Sequence, residues 1–235
     1  MIETTLLLLI ATLPVLILLG YFWHRDRGDP EPLALMRKIF FLGCLVIIPV
    51  GAVEFVIQYG FLSFFPGTPW WYWFIMPFFF VALPEEFGKL WIVKRFAYSH
   101  PKFNEYMDGI TYCILASLGF AMFENIIYTF QYGTGTGILR AFTAVPAHAL
   151  ISGLMGYYLG HAKHAKSPLL EKKFLRKALW IGVLFHGLYD FLLMSGIPYL
   201  ILMAFPLIFY MGSQLNHAIR LATAQRKTAE ELEFF

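Results

Sequence analysis

Seven ionisable side chains stand inside stretches that are otherwise apolar: Glu85, Glu86, Lys89, Glu124, His148, His186 and Asp190. Neutral imidazole and carboxylate are the ordinary ligands of a catalytic zinc, which keeps one position open for water, and a free glutamate then takes that water's proton. Four acids against one lysine leave a negative excess that a metal would offset. The H-E-x-x-H pattern of the commonest zinc proteases is absent. Glu85 and Lys89 are four residues apart, as are His186 and Asp190, so each pair shares a helical face. Phe120 and Glu124 repeat the interval, and His148 is followed at the same interval by Ser152, Gly156 and Gly160. That small-residue stripe admits a close neighbouring backbone on the histidine's own face, and packing alone accounts for its glycines.

The elements that must carry these groups are membrane spans. The chain is 59% hydrophobic and 14% charged, against roughly 25% charged for an ordinary soluble domain. Several apolar runs reach the roughly 20 residues needed to cross a hydrocarbon core. Hydrophobic length and loop punctuation predict helices at about 4–23, 38–59, 70–93, 106–131, 139–160, 174–194 and 198–220. The expected fold is all-α, a polytopic bundle of about seven transmembrane helices forming a single domain over 1–235. The breakers between helices include Arg25 to Pro32, Phe65 to Pro69, and the Gly133 to Gly137 run.

Basic residues set the orientation, because they are retained on the cytoplasmic side of short loops. Successive connections carry 4, 0, 3, 1, 6 and 0 lysines and arginines, and the tail carries 3. The alternation predicts an N-out, C-in topology, with Arg140 on the outside and Lys89 alone within a span. Glu3 precedes the first apolar run while Arg25, Arg27, Arg37 and Lys38 follow it, the reverse of a secretory signal, so that run reads as a retained anchor. Trp70, Trp71, Tyr72 and Trp73 read as an interfacial aromatic belt. Cys44 and Cys113 lie inside spans without C-x-x-C spacing and read as packing residues. The net charge of +3 comes from the loops and gives no footing for nucleic acid.

Each charged group at a helix centre costs about 2.5 to 3.5 kcal/mol if it faces lipid, so the ionisable groups are expected to share a polar cavity. At about 1.5 Å per residue, Glu124, His148 and His186 lie at similar depths below the outer helix ends. Glu85 and Glu86 come out deeper, which calls for Trp70 to Phe74 lying along the interface or for a distortion at Pro84. Any single one of these residues is equally well a proton relay or an interhelical hydrogen bond. Glu54 reads as a structural or rim carboxylate, and Asp108 as a helix N-terminal group. His24, His100, His161, His164 and His217 fall at or beyond helix ends and receive no role.

Taken in order on successive helices, Glu85-Glu86-Phe87-Gly88-Lys89 (E-E-x-x-K), Phe120 to Asn125 (F-x-x-x-E-N), the His148 stretch and His186 to Asp190 (H-x-x-x-D) resemble the PrsW family of bacterial intramembrane proteases. That family is related to the CAAX prenyl protease and Abi superfamily, and the resemblance covers roughly residues 38 to 215. In the wider superfamily the second motif usually ends in histidine and the last in asparagine, where this chain has Glu124 and Asp190. The resemblance implies a multi-pass protein of the bacterial cell membrane that hydrolyses a peptide bond of a membrane-anchored substrate near the extracytoplasmic side. Site-one cleavage of an anti-sigma factor is the implied role. By carry-over, Glu85 and Glu86 are the catalytic carboxylates, Glu124, His148, His186 and Asp190 are the zinc ligands, and Lys89 is a buried counter-ion. Asp190 either ligates the metal or orients His186.

Three other readings compete. The same superfamily chemistry can run on glutamates and histidines without metal. A transporter or proton channel would use the same groups as a relay, although the chain shows no convincing internal repeat. A non-catalytic membrane partner descended from a protease is the third, and the presence of every motif position speaks against such decay.

Overall fold

The computed structural model describes residues 2–25, 30–65, 69 and 71–233, with side chains apart from those of Ile2 and 226–233. Arg27, Trp70, and the breakers at 26–29 and 66–68 lie outside the described residues, as do the side chains of the basic tail residues Arg226 and Lys227. The described chain is helical: α1 (Ile2–Arg25), α2 (Leu33–Phe64), α3 (Tyr72–Ile75), a π-helical segment (Met76–Ala82), α4 (Leu83–Phe96), α5 (Tyr106–Tyr132), α6 (Thr134–Phe142), α7 (Ala144–Lys163), α8 (Pro168–Met194), α9 (Pro198–Leu202) and α10 (Ala204–Glu233).

The distribution of side chains is inverted relative to a water-soluble fold. Large apolar groups face outward, with Phe41 59% and Phe209 82% exposed, while Glu86 and Lys89 are wholly buried. Apolar side chains cover the outside because lipid is their solvent, and ionisable groups turn inward because lipid cannot solvate them. Six stretches among the described residues are long and apolar enough to cross a membrane: Glu3–Arg25, Leu33–Phe64, Tyr106–Tyr132, Thr134–Lys163, Pro168–Met194 and Pro198–Gln225. The chain is thus a polytopic helical membrane bundle.

The stretch expected as one span at 70–93 is built in pieces instead. A short α3 runs into the π-helical segment, and α4 follows with Pro84 in its first turn. Proline has no N–H to donate and its ring crowds the carbonyl four residues back. The wider π turn relieves that crowding, and the N–H of Leu83 reaches back five residues to the Phe78 carbonyl. More residues per turn also shorten the rise, which lessens the excess depth calculated for Glu85 and Glu86 on a regular helix. Tyr72 is buried against the bundle, its ring 5.0 Å from that of Phe61 on α2, and Trp71 meets the same ring at 5.5 Å.

The helix expected at 139–160 is also two helices. Gly133 ends α5 with φ +87°, a conformation that favours glycine, but Gly135 and Gly137 are helical within α6. A break at Thr143 then separates α6 from α7. The bundle is organised around α5, whose N-terminal two-thirds is almost continuously buried among α1, α2 and α7. Its start is capped as expected, since Asp108 Oδ2 accepts from the N–H groups of Asn104 and Glu105. The stripe on α7 packs here: a Cβ on Gly156 would stand 2.2 Å from the Gly109 carbonyl oxygen, so the α5–α7 crossing is closed to any larger residue.

Candidate functional site

Glu85 and Glu86 occupy the first turn of α4, which α8 meets closely where Gly182 passes Glu86. Lys89 lies one turn further on and points its ammonium back at both. Its Nζ is 2.9 Å from Glu85 Oε2 and 2.7 Å from Glu86 Oε1, and it stands 4.3 Å from the centre of the Phe120 ring. The two carboxylates differ in their surroundings. Glu86 is enclosed and also receives hydrogen bonds from Ser152 Oγ, at 3.3 Å to Oε2, and from His186 Nδ1, at 2.9 Å to Oε1. Glu85 lines a cavity of about 550 Å³, and its second contact, with His186 Nδ1, is a loose 3.9 Å.

Two histidines complete the group, each held in the same way. His148, near the start of α7, has Nε2 2.8 Å from Glu124 Oε2 and Nδ1 3.2 Å from Lys89 Nζ. An ammonium only donates, so Nδ1 is the acceptor and Nε2–H donates to Glu124; the tautomer follows from the network. His186 on α8 turns Nδ1 toward Glu86 and Nε2 toward Asp190 Oδ2 at 3.3 Å. His186 Nδ1 faces the α4 carboxylates and His148 Nδ1 the Lys89 ammonium, while Nε2 of both rings is backed by an acid. The rings are in edge contact, centroids 5.3 Å apart.

One donor atom each from Glu85, Glu86, His148 and His186 lies within 4.8 Å of all the others, and all four residues are buried. Two imidazole nitrogens and two carboxylate oxygens form a donor set suited to zinc, and acids behind both histidines are the usual outer partners of metal-binding imidazoles. The residues fit a divalent ion. Glu124 and Asp190 stand one hydrogen bond outside that group of four, behind His148 and His186 respectively. Lys89 is in the position of a counter-ion.

Four residues close to the site receive no functional role from the sequence. Ser152, a packing residue by its spacing, holds Glu86, and its place one turn after His148 is the signal that finds it. Ser117 Oγ donates to the backbone carbonyl of His148 at 2.8 Å and has no sequence signal. Arg140 reaches over from α6 to place Nη2 2.9 Å from Glu124 Oε2, donates through Nε to Asn125 Oδ1 at 3.1 Å, and covers the Tyr128 ring. Asn125 in turn donates to the Ala11 carbonyl on α1. The signal for Arg140 is its isolation as the sole basic residue on the side otherwise free of them. The cavity is bounded by the C-terminal halves of α2, α5 and α8 and the start of α7, with Glu85 of α4, Arg140 of α6 and the π-helical segment completing its walls.

Comparison with known proteins finds a family and named relatives. The family described as "PrsW family intramembrane metalloprotease" matches residues 31–212. A Geobacillus kaustophilus protein named Protease PrsW is 36% identical over 182 residues, covering 77% of each chain. The Bacillus subtilis protein of that name is 36% identical over 183 residues, 77% of this chain and 79% of its own length. The Clostridioides difficile one is 32% identical over 194 residues, 80% and 79% respectively. No solved structure matches.

Proposed function

The chain belongs to the PrsW family of intramembrane metalloproteases, and from that membership we propose that it hydrolyses a peptide bond of a membrane-anchored protein at the Glu85–Glu86–His148–His186 cluster. The observation that carries this reading is the meeting of these four buried side chains from α4, α7 and α8 beside a cavity large enough for a peptide segment. We assign the ion to His148 Nδ1, His186 Nδ1 and Glu86, with Glu124 and Asp190 holding the rings rather than ligating. A divalent ion bound there would polarise the scissile carbonyl and acidify the attacking water.

Glu85 is the general base in this scheme, because it faces the cavity while Glu86 is enclosed, held by Lys89 and Ser152 and turned toward His186. It takes a proton from the attacking water and returns it to the leaving amine nitrogen. Lys89 balances the charge of both carboxylates. In the orientation that the basic residues favour, the cavity lies toward the extracytoplasmic side of a bacterial cell membrane. That position suits site-one cleavage of a membrane-spanning anti-sigma factor, the substrate class that the family resemblance implies.

A second reading within the same fold has one observation behind it. Lys89 Nζ touches Glu85, Glu86 and His148 Nδ1, so an internal cation already neutralises much of the donor set. A metal-independent glutamate protease would need nothing more. Cleavage of a reconstituted membrane-anchored substrate tests the function itself: wild type is expected to cut, and Glu85→Gln to lose at least about 100-fold in rate, the lower range for general-base catalysis. Undiminished cleavage by folded Glu85→Gln would remove Glu85 from the chemistry. Undiminished cleavage by His186→Ala as well would remove the site.

A further inference from the structure

The cavity beside the carboxylates holds three buried polar atoms without a hydrogen-bond partner among the described residues: Glu54 Oε1 on α2, Arg140 Nη2 on α6 and the Tyr189 hydroxyl on α8. Arg140 Nη2 is near enough to Glu124 for an ion pair but is not aligned to donate a hydrogen bond to it. Two more such atoms, on Asp108 and Thr129, lie away from the cavity. A buried polar atom left unpartnered is costly; Arg140 Nη2 retains its ion pair with Glu124 and the Tyr189 hydroxyl lies near Thr143, so Glu54 Oε1 is the atom that marks the α2 wall as shaped for a polar occupant.

The walls supply both halves of a backbone hydrogen-bond pattern. Glu54 and Gln58 line the cavity one turn apart on a single face of α2. Carboxylate and amide oxygens accept from N–H groups, and the guanidinium and phenol across the cavity donate to carbonyls. A substrate helix that unwinds for cleavage releases N–H and C=O groups that lipid cannot satisfy. Glu54 is not among the four residues that fit a metal. Its neighbour on the helix, Gly51, also lines the cavity and faces open space, with nothing within 4 Å of a Cβ built there.

We propose that Glu54, on the α2 wall, is a substrate-binding residue that accepts from a backbone N–H of the unwound peptide, while Tyr189 and Arg140 donate to its carbonyls from the opposite wall. The proposal rests on the protease reading. Glu54 touches no reacting atom, so its loss raises KM and leaves kcat and bound metal nearly intact.

The test uses a fluorescent synthetic peptide of one apolar span, about 20 residues long, followed by a polar segment, in proteoliposomes of the full chain. Glu54→Ala is expected to raise KM about tenfold, with kcat within about twofold and metal content unchanged, while Glu54→Gln, which keeps an acceptor oxygen, recovers most of the loss. Tyr189→Phe is expected to raise KM in the same sense and serves if Glu54→Ala fails to fold. Retention of the peptide is also measured on Glu85→Gln and on Glu85→Gln with Glu54→Ala, which reads binding where no cleavage occurs. About tenfold weaker retention by the double variant supports the proposal even if the wild type proves inactive. An unchanged KM, a fall in kcat alone, loss of metal, or equal retention by the two inert variants overturns it.

Discussion

The two adjacent glutamates are chemically identical and differ only in what surrounds them. Glu86 has three donors and no exposure, whereas Glu85 shares Lys89 and opens on the cavity. In the proposed scheme this contrast separates a ligand from a base. Glu86→Gln is therefore expected to lose bound metal together with activity, while Glu85→Gln keeps the metal and loses turnover; elemental analysis beside a cleavage assay reads both. In the same scheme Asp190 acts through His186, so Asp190→Asn should weaken metal retention by about 10- to 100-fold, the usual effect of removing an outer partner, as measured by competition with a chelator. If Asp190→Asn holds metal as firmly as wild type, that carboxylate has no hold on the ring. The ionisable residues are legible in the sequence because each is costly in lipid and stands out. Ser117 is not, because a serine in a span carries little such cost and looks like packing, and Ser152 is marked only by its place one turn after His148.

At the level of the helix, most spans follow from apolar length alone, and the failures have local causes. The third run contains Pro77 and Pro84 with three charged residues after them, and a π-helical segment stands just before Pro84, where a distortion is one of the two expectations. The glycines at 135 and 137 read as a breaker, yet α6 runs through them and carries Arg140 to Glu124. Glycine tolerates many conformations, so its presence does not by itself end a helix. Helix α2 offers a sharper test, since its glycines are not equivalent. A Cβ at Gly43 would stand 2.1 Å from the Ala116 carbonyl oxygen on α5, whereas one at Gly51 meets open cavity. Gly43→Leu is expected to destabilise the bundle by at least the roughly 1 to 3 kcal/mol typical of overpacking, seen as a lower Tm in detergent. Gly51→Leu should leave Tm within a few degrees and still slow cleavage by filling the cavity. A large loss of Tm in Gly51→Leu would contradict the open cavity.

For the whole molecule, the bundle is turned inside out relative to a soluble fold, and its polar centre is what the composition makes necessary. That much is readable without coordinates, because 59% apolar residues cannot all be buried from water in a chain of this size. The identity of the partners across helices is not readable, since spacing relates residues only along one helix. Nothing in the sequence pairs His148 with Glu124 or Ser152 with Glu86. Orientation rests on the basic loops, and it predicts that a cysteine at Thr134 reacts with an impermeant maleimide from outside intact cells while one at Lys166 does not. The reverse pattern would invert the molecule and put the cavity on the cytoplasmic side. In the proposed mechanism the four-residue cluster holds a metal ion used in peptide hydrolysis. Elemental analysis of a purified, proteolytically active preparation tests it most directly. About one zinc or similar ion per chain is predicted, absent from His148→Ala/His186→Ala, with activity lost to a chelator and restored by the metal. Full activity in a metal-free preparation would contradict it.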